Sequence, residues 1–308
     1  MSLGKYRHFS RASTATGHFV ILAIDHRANL RQSLEKQGPI RDQDFRDFKL
    51  QVVAAAAPQV SAVLADPGYA LGSLIAGRIF SGGLLSPLEV TDYDVHPSQR
   101  ELQWIPGWSV EKVKRMGGDG VKLLIPFHPQ LPSASAKEKL VQQVVAECAR
   151  HDIPLYLEPI ACSPAPGHRL SSVQQRQITV EMAARCCALG ADILKLQLPA
   201  HEDEWEPTCR QLAEVCTAPW ALLSGGVDFD TYCRQAELAC FHGASGVIVG
   251  RAVWSEATEL QGEARSQFLA EVVPLRLSRL AQICATGTAP WMKRFPLQSP
   301  TLDWYQSY

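Results

Sequence analysis

The stretch Ala191-Asp-Ile-Leu-Lys-Leu-Gln-Leu-Pro199 is an apolar run that carries one lysine, Lys195, where a buried strand is expected to end. Continuous apolar runs of this kind are typical of strands that are covered on both faces. Burial disfavours the charged form of an amine, and a neutral amine is a nucleophile that attacks carbonyls. Lys195 is therefore a candidate Schiff-base lysine, and the alternative is a structural lysine that extends from a strand end into solvent.

Seven further apolar runs resemble this one and predict strands at Phe19–Ile24, Ser61–Ala65, Gly83–Leu88, Gly118–Pro126, Ile153–Pro159, Trp220–Gly226 and Ala244–Arg251. Helical spacing falls between them at Asp42–Ala57, Val110–Met116, Ser135–His151, Ser171–Leu189, Trp205–Cys216, Asp230–His242 and Glu263–Cys284. A polar, turn-rich loop is expected from Asp92 to Trp108. Eight strands that alternate with helices predict a parallel (β/α)8 TIM barrel. The alternative is a doubly wound sheet, which no GxGxxG or Walker sequence supports.

Composition limits the classes of partner. Lys plus Arg total 30 and Asp plus Glu total 31, so the formal net charge of −1 favours neither nucleic acid nor an anionic membrane. Nine cysteines, an odd number with no CxxC pair, indicate reduced thiols in a cytoplasmic protein. No signal peptide or membrane-spanning run is expected. The sequence therefore predicts a small-molecule partner.

The chain of 308 residues is expected to form a single barrel domain, since barrels of this class reach that length as one unit. The tail from Thr286 to Tyr308 is rich in aromatic residues. We expect it to pack on the barrel or on a second subunit, so a homo-oligomer is one possibility.

Four ionisable residues fall at or near the carboxyl ends of four predicted strands: Asp25, Lys122, Glu158 and Lys195. Barrels of this class place their active sites at that end. Side chains alternate across a strand, and a charge pressed against an outer helix would have no partner, so the inward face is favoured for all four. The sequence predicts two amines and two carboxylates around one pocket.

The loops after the seventh and eighth strands have a different character. Ser224-Gly225-Gly226 and Gly250-Arg251 expose backbone N–H groups where no bulky side chain blocks approach. An anion site in a barrel is typically built from these two loops, and an arginine adds a bidentate donor for phosphate or sulfonate. We therefore expect a substrate phosphate here; the alternative is a pair of ordinary glycine turns.

Six segments along the chain carry a resemblance to a known family: Ala23-Ile-Asp-His-Arg27, Gly120-Val-Lys-Leu-Leu124, Leu157-Glu-Pro159, Ile193-Leu-Lys195 followed by Pro199, Ser224-Gly-Gly-Val227 and Ala244-Ser-Gly-Val-Ile-Val-Gly-Arg-Ala-Val-Trp254. Together they resemble the class I, Schiff-base tagatose 1,6-bisphosphate aldolases and their sulfofructose-phosphate aldolase relatives. The resemblance runs in unbroken order from about Phe19 to Glu256.

The resemblance implies a role for each matching residue. Lys195 would be the Schiff-base lysine, Glu158 the acid and base, and Asp25 and Lys122 supporting charges. The glycine loops and Arg251 would hold the anionic group of a ketohexose phosphate, which is cleaved without a metal or cofactor. The implied products are dihydroxyacetone phosphate and glyceraldehyde 3-phosphate, or sulfolactaldehyde where the substrate is 6-deoxy-6-sulfofructose 1-phosphate.

Two positions depart from the family pattern. Gln197 replaces a common glutamate, and Arg27-Ala28-Asn29 replaces Arg-Gly-Ser. Arg27 and Gln197 are therefore candidate substrate-binding residues that affect which sugar is accepted.

Two other functions remain open at this point. A metal-dependent aldolase is one, because His26, His128, His168 and His201 are placed near the loops at the top of the barrel, although no HExxH or His-x-His spacing occurs. A barrel that binds a sugar phosphate without catalysis is the other, and it predicts binding without a borohydride-trapped adduct.

Overall fold

The computed structural model describes residues 1–90, 94–297, 300–306 and 308, and within them the apolar runs form a closed parallel barrel of eight strands. In chain order these are β1 (Phe19–Ile24), β2 (Ala62–Ala65), β3 (Gly83–Pro87), β4 (Gly120–Phe127), β5 (Leu155–Ala161), β6 (Ile193–Leu196), β7 (Trp220–Leu223) and β8 (Gly246–Val249). Each strand pairs with the next in the chain, and β8 pairs with β1 to close the ring. The predicted barrel is confirmed, and the doubly wound sheet is excluded.

Helices connect the strands and surround the barrel. They are α1 (Leu3–Ala12), α2 (Ala28–Glu35), α3 (Asp42–Ala56), α4 (Gly72–Ala76), α5 (Val110–Arg115), α6 (Ala134–Arg150), α7 (Ser172–Ala188), α8 (Trp205–Val215), α9 (Phe229–Phe241), α10 (Arg251–Trp254), α11 (Gly262–Gln267) and α12 (Val273–Gly287). Single wide turns at Pro67–Leu71 and Phe268–Val272 precede α4 and α12. Short 3₁₀ turns lie at Pro97–Gln99, Glu202–Glu204, Ser255–Thr258, Trp291–Lys293 and Trp304–Gln306. None of the helices in the described part of the chain is long and apolar enough to cross a membrane.

One predicted helix contains an irregular turn. The pattern from Glu263 to Cys284 predicts a continuous helix, and the chain is helical throughout this range, with the wide turn Phe268–Val272 between α11 and α12. Pro274 has no N–H to donate, so the regular hydrogen-bond ladder is interrupted where α12 begins. The predicted helix is therefore confirmed, and its one irregularity is this wide turn.

Alternation along the strands sorts the side chains into two layers. Ile21, Ala23, Tyr156 and Ile193 belong to a buried cluster inside the barrel. Their neighbours, such as Leu22 and the other alternate residues, belong to the larger core between the strands and the helices. The inward phase predicted for Asp25, Glu158 and Lys195 is therefore confirmed.

The amino end of the barrel is closed by α1. The Phe9 ring lies 5.6 Å from the Phe19 ring and 5.8 Å from the Tyr156 ring, and it stacks on Trp291 at 5.2 Å. Trp291 is buried, whereas the final aromatic residues of the tail, including Trp304, are exposed. Since this end is filled, a ligand reaches the barrel interior from the carboxyl end.

The expected loop from Asp92 to Trp108 contains regular structure, although its residues 92 and 93 lie outside the described residues. Glu89–Val90 and Gln103–Trp104 pair as a short antiparallel hairpin directly after β3. The turn Pro97–Gln99 in this segment lies against β4. The hairpin brings a polar segment over the carboxyl end of the barrel.

Candidate active site

The four charged residues predicted from the strand ends meet at the carboxyl end of the barrel. Nζ of Lys195 lies 3.0 Å from Oε2 of Glu158, and Nζ of Lys122 lies 3.1 Å from the same oxygen. The Lys122 amine also lies 3.3 Å from Oδ2 of Asp25. The side chains of Lys122, Glu158 and Lys195 are each at least nine-tenths buried. One carboxylate thus contacts both amines.

Glu89 completes this group, and the sequence reasoning did not identify it. Lys122 donates a hydrogen bond from Nζ to Oε1 of Glu89 at 2.6 Å, and only 2% of Glu89 is exposed. Glu89 follows Pro87 by two residues, in phase with the inward-facing Leu85. The alternation rule that located the other charges would therefore have found it, had the apolar run not ended at Leu88.

Each carboxylate in the group is shifted in its own direction. Burial opposes ionisation of Glu158, but the positive charges of Lys122 and Lys195 outweigh it and lower the pKa of Glu158. The same balance holds the pKa of Asp25 well below its usual value. For Glu89, burial outweighs the attraction of Lys122 and raises the pKa. Glu158 and Asp25 are therefore ionised at neutral pH, and Glu89 is the acid of the group that protonates most readily.

Lys122 is held as a cation by its neighbours. Burial disfavours its charged form, but Glu158, Glu89 and Asp25 together raise its pKa well above the usual value. A permanently charged amine with three carboxylate partners is not available as a nucleophile. Lys195, which has Glu158 as its carboxylate partner, is the amine better placed to react.

His26 borders the same space. Burial lowers the pKa of His26 to about 4, and the opposing attraction of Asp25 is too weak to restore it, so the imidazole is neutral. Its Nδ1 is buried without a hydrogen-bond partner, 3.9 Å from Oδ1 of Asp25. Across the described ranges, no three His, Cys, Asp or Glu side chains converge as metal ligands. His26 is therefore placed as a neutral polar group and not as part of a histidine cluster.

The two glycine loops lie beside Lys195, as predicted. Gly225 and Gly226 have φ of 58° and 87°, a region that favours glycine. A Cβ on Gly226 would lie 3.0 Å from Cζ of Arg251, so the absence of a side chain lets the guanidinium lie against this turn. Nη2 of Arg251 donates to the Gly225 carbonyl oxygen at 3.5 Å. The loops after β7 and β8 thus form one surface.

Two adjoining cavities connect these groups. An outer cavity of about 200 Å³ is lined by Lys195, Glu158, His26, Gln197, Ser224, Gly225, Gly250, Arg251 and, from the hairpin segment, Pro97 and Arg100. An inner cavity of about 50 Å³ is lined by Asp25, His26, Arg27, Glu89, Lys122, Leu124, Glu158 and Lys195. Lys195 and Glu158 line both, so a ligand in either space contacts them.

The remaining candidates occupy the walls. Gln197 is exposed, and a Cβ on Gly225 would meet its Nε2 at 2.5 Å, so this amide rests on the glycine turn. Nη2 of Arg27 donates to the Glu89 carbonyl oxygen at 2.6 Å and ties β1 to the hairpin. Gly226 itself lies behind Arg251.

Comparison with known proteins identifies the family of the chain. The family model for the DeoC/LacD family aldolases matches residues 19–256. The chain belongs to this family. A DeoC/LacD family aldolase is a carbon–carbon lyase, so the pocket at the carboxyl end of this barrel is the candidate site for breaking such a bond.

Curated relatives of this aldolase match over nearly their whole length. The tagatose 1,6-diphosphate aldolase of Listeria monocytogenes serotype 4b is 27% identical, with 95% of each chain covered. Tagatose 1,6-diphosphate aldolase 2 of Streptococcus mutans serotype c is 25% identical and covers 96% of this chain and 98% of its own. An archaeal fructose 1,6-bisphosphate aldolase has the same fold, with a TM-score of 0.65 and 18% identity over 92% of this chain and 100% of that chain.

Proposed function

We propose that the protein is a class I aldolase that cleaves a ketohexose 1,6-bisphosphate of the tagatose type into dihydroxyacetone phosphate and glyceraldehyde 3-phosphate. The observation that carries the proposal is the contact of 3.0 Å between Nζ of Lys195 and Glu158 inside a cavity that also reaches Arg251. A nucleophile, a base and an anion-binding surface within one space are what this reaction requires. The names of the curated relatives support the sugar.

The first half of the reaction uses Lys195 as the nucleophile. Its neutral amine attacks the C2 ketone, and loss of water from the carbinolamine gives an iminium on the lysine. Glu158 is ionised and in contact with this nitrogen, so it is placed to take the proton whose loss leaves the amine neutral. It then returns that proton to the carbinolamine hydroxyl, which departs as water and leaves Glu158 ionised again. The iminium then acts as the acceptor for the electron pair of the C3–C4 bond.

Glu158 serves again as the bond breaks. It removes the C4 hydroxyl proton, the C4–O bond becomes the carbonyl of the departing aldehyde, and the C3–C4 electron pair forms an enamine on Lys195. The protonated Glu158 returns its proton to C3, and water hydrolyses the resulting iminium to free dihydroxyacetone phosphate. Protons and electrons balance without an added oxidant or reductant.

The other charges keep these two groups in place. Lys122 contacts Asp25, Glu89 and Glu158, and its charge keeps Glu158 in the basic form. Asp25 holds Lys122 and orients substrate hydroxyl groups in the inner cavity. Ser224, Gly225, Gly250 and Arg251 hold the phosphate on the ketone half of the substrate, and Gly226 lets the Arg251 guanidinium lie against the turn.

We place this reaction in the cytoplasm, because all nine cysteines are free. The exposed Trp304, Tyr305 and Tyr308 support a homo-oligomer that covers the end of the tail.

Product analysis tests the proposal. Purified enzyme is incubated with tagatose 1,6-bisphosphate, the epimeric ketohexose bisphosphates and 6-deoxy-6-sulfofructose 1-phosphate, and the two three-carbon products are quantified. We expect dihydroxyacetone phosphate and glyceraldehyde 3-phosphate from the tagatose compound, with no turnover by Lys195→Met. Turnover restricted to the sulfonated sugar would contradict the proposed substrate, and binding of all the sugars without cleavage would contradict the reaction.

A further inference from the structure

The outer cavity has a second arginine, Arg100, on the side away from Arg251. Arg100 follows the turn Pro97–Gln99, which lies against β4, whereas Arg251 follows β8. In the closed ring, β4 and β8 are separated by three strands on either side, so they face each other across the barrel. The cavity therefore has an arginine at each of two opposite walls.

A second buried cation, Lys137, lies near Arg100. Among the described residues that line the outer cavity, the one acid is Glu158, which already contacts Lys122 and Lys195. Buried Lys137 lies close by and donates from Nζ to the Pro126 carbonyl oxygen at 2.6 Å. Burial lowers the pKa of Lys137, and the positive charge of Arg100 contributes to the shift. The two basic side chains Arg100 and Lys137 therefore lie on the same side of the cavity.

The loop that carries Arg100 is held in position by its own contacts. Nε of Arg100 donates to the Val95 carbonyl oxygen at 2.7 Å, and His96 contacts the Ser163 hydroxyl at 3.2 Å through Nε2. The first contact closes the turn on itself, and the second ties it to the chain just after β5. Arg100 is therefore part of a shaped wall, which reduces the entropy lost when its guanidinium binds a ligand.

The residues around the carboxyl end of the barrel occur in the same order as the functional groups along the proposed substrate. Arg251 and the glycine loops follow β8 and β7, Lys195 lies on β6, Glu158 on β5, and Arg100 lies over β4. In the proposed reaction the C1 phosphate, the C2 ketone and the C4 hydroxyl meet the first three of these in turn. The group that remains, at C6, falls beside Arg100.

We propose that Arg100 binds the second anionic group of the substrate, the phosphate or sulfonate at C6 of the aldehyde half. The proposal rests on the proposed function, because it takes Lys195 as the residue that holds C2. A guanidinium presents two parallel N–H donors that match either oxyanion. Arg100 is then the residue that selects a doubly anionic ketose over a ketose 1-phosphate.

The test compares Arg100→Gln with the wild-type enzyme on three ligands. For the tagatose 1,6-bisphosphate, we expect KM to rise about 10- to 100-fold in the variant, as for loss of a hydrogen-bonded charge contact. For the matching ketose 1-phosphate, which has no anion at C6, we expect KM to change less than about twofold. Borohydride trapping with dihydroxyacetone phosphate should reach half-saturation at the same concentration in Arg100→Gln as in the wild type. This result would show that the variant is folded.

Two further variants serve as controls. Arg251→Gln should weaken all three ligands, because each carries the phosphate of the ketone half. Arg150→Gln, on the exposed face of α6, should change none of them. The wild-type enzyme is also assayed with 6-deoxy-6-sulfofructose 1-phosphate beside the bisphosphate. The substrate with the higher kcat/KM shows whether the C6 group is a sulfonate or a phosphate.

The possible failures are distinct. If the wild-type enzyme forms no adduct with dihydroxyacetone phosphate, the proposed function is wrong. If the adduct forms but Arg100→Gln leaves the KM for the bisphosphate unchanged, or raises it equally for the ketose 1-phosphate, Arg100 does not bind the C6 anion and the proposed function stands.

Discussion

Replacing Lys122 with methionine removes the cation that the carboxylates of Asp25, Glu89 and Glu158 share. The Lys122 side chain is 4% exposed, and its Nζ lies 2.6 Å from Glu89, 3.1 Å from Glu158 and 3.3 Å from Asp25. Methionine has a similar length and fills the same space without charge. The variant therefore leaves the packing in place and tests the charge alone.

The expected cost follows from this geometry. Removing one partner from a buried ion pair typically costs about 3–5 kcal/mol, because the other charge stays buried without compensation. In the wild type, Asp25 and Glu158 have lowered pKa values, so their contribution to stability is present above their unfolded values and is lost as pH falls through the folded ones. Without Lys122, burial raises both values, and these groups take up protons as pH falls from 7 to 5. The difference in unfolding free energy between variant and wild type should therefore be largest at pH 7 and smaller at pH 5.

Urea unfolding at the two pH values measures this difference. Lys137→Met is the matched control, since Lys137 is an equally buried lysine whose amine binds the Pro126 carbonyl oxygen. The control should lose a similar amount at pH 7 and pH 5. A loss below about 1 kcal/mol for Lys122→Met, or one that does not change with pH, would refute the shared-cation account.

Two further predictions concern binding and catalysis. Arg251→Ala should raise KM by an amount equivalent to about 1.5 to 3 kcal/mol, with little change in kcat, because it removes a charge-assisted contact to phosphate. Steady-state kinetics measure both constants. An unchanged KM would place the phosphate elsewhere. Burial raises the pKa of Glu158, but the charges of Lys122 and Lys195 outweigh it and lower the pKa below the ordinary value of 4.5. The base form of Glu158 therefore persists as pH falls. We expect kcat/KM to stay level from neutral pH down to about 5 and to decline only below the ordinary value. A pH–rate profile in which activity is lost near pH 7 would show that another group is the base.

The barrel was predictable because its strands are buried on both faces. Continuous apolar runs gave the first strand, Phe19–Ile24, with its observed bounds, and alternation then placed Asp25, Glu158 and Lys195 on the inner face. These features depend on local sequence and on the period of a strand. They needed no knowledge of the loops.

The parts that the sequence did not reveal depend on contacts between distant segments. Glu89 is buried because Glu89–Val90 pairs with Gln103–Trp104, and neither two-residue strand has an apolar pattern that marks it. Arg100 reaches the cavity through the same hairpin segment. Helix α1 closes the amino end of the barrel through Phe9, which stacks on Trp291 from the other end of the chain.

Borohydride trapping tests the central claim that Lys195 forms the covalent intermediate. The enzyme is incubated with dihydroxyacetone phosphate, reduced with borohydride, digested, and the position of the added mass is determined by mass spectrometry. We predict irreversible loss of activity and a modification on Lys195 alone, no adduct in Lys195→Ala, and a retained adduct with slow turnover in Glu158→Gln. Modification of Lys122 with Lys195 unmodified, or full activity with no adduct at all, would contradict the account.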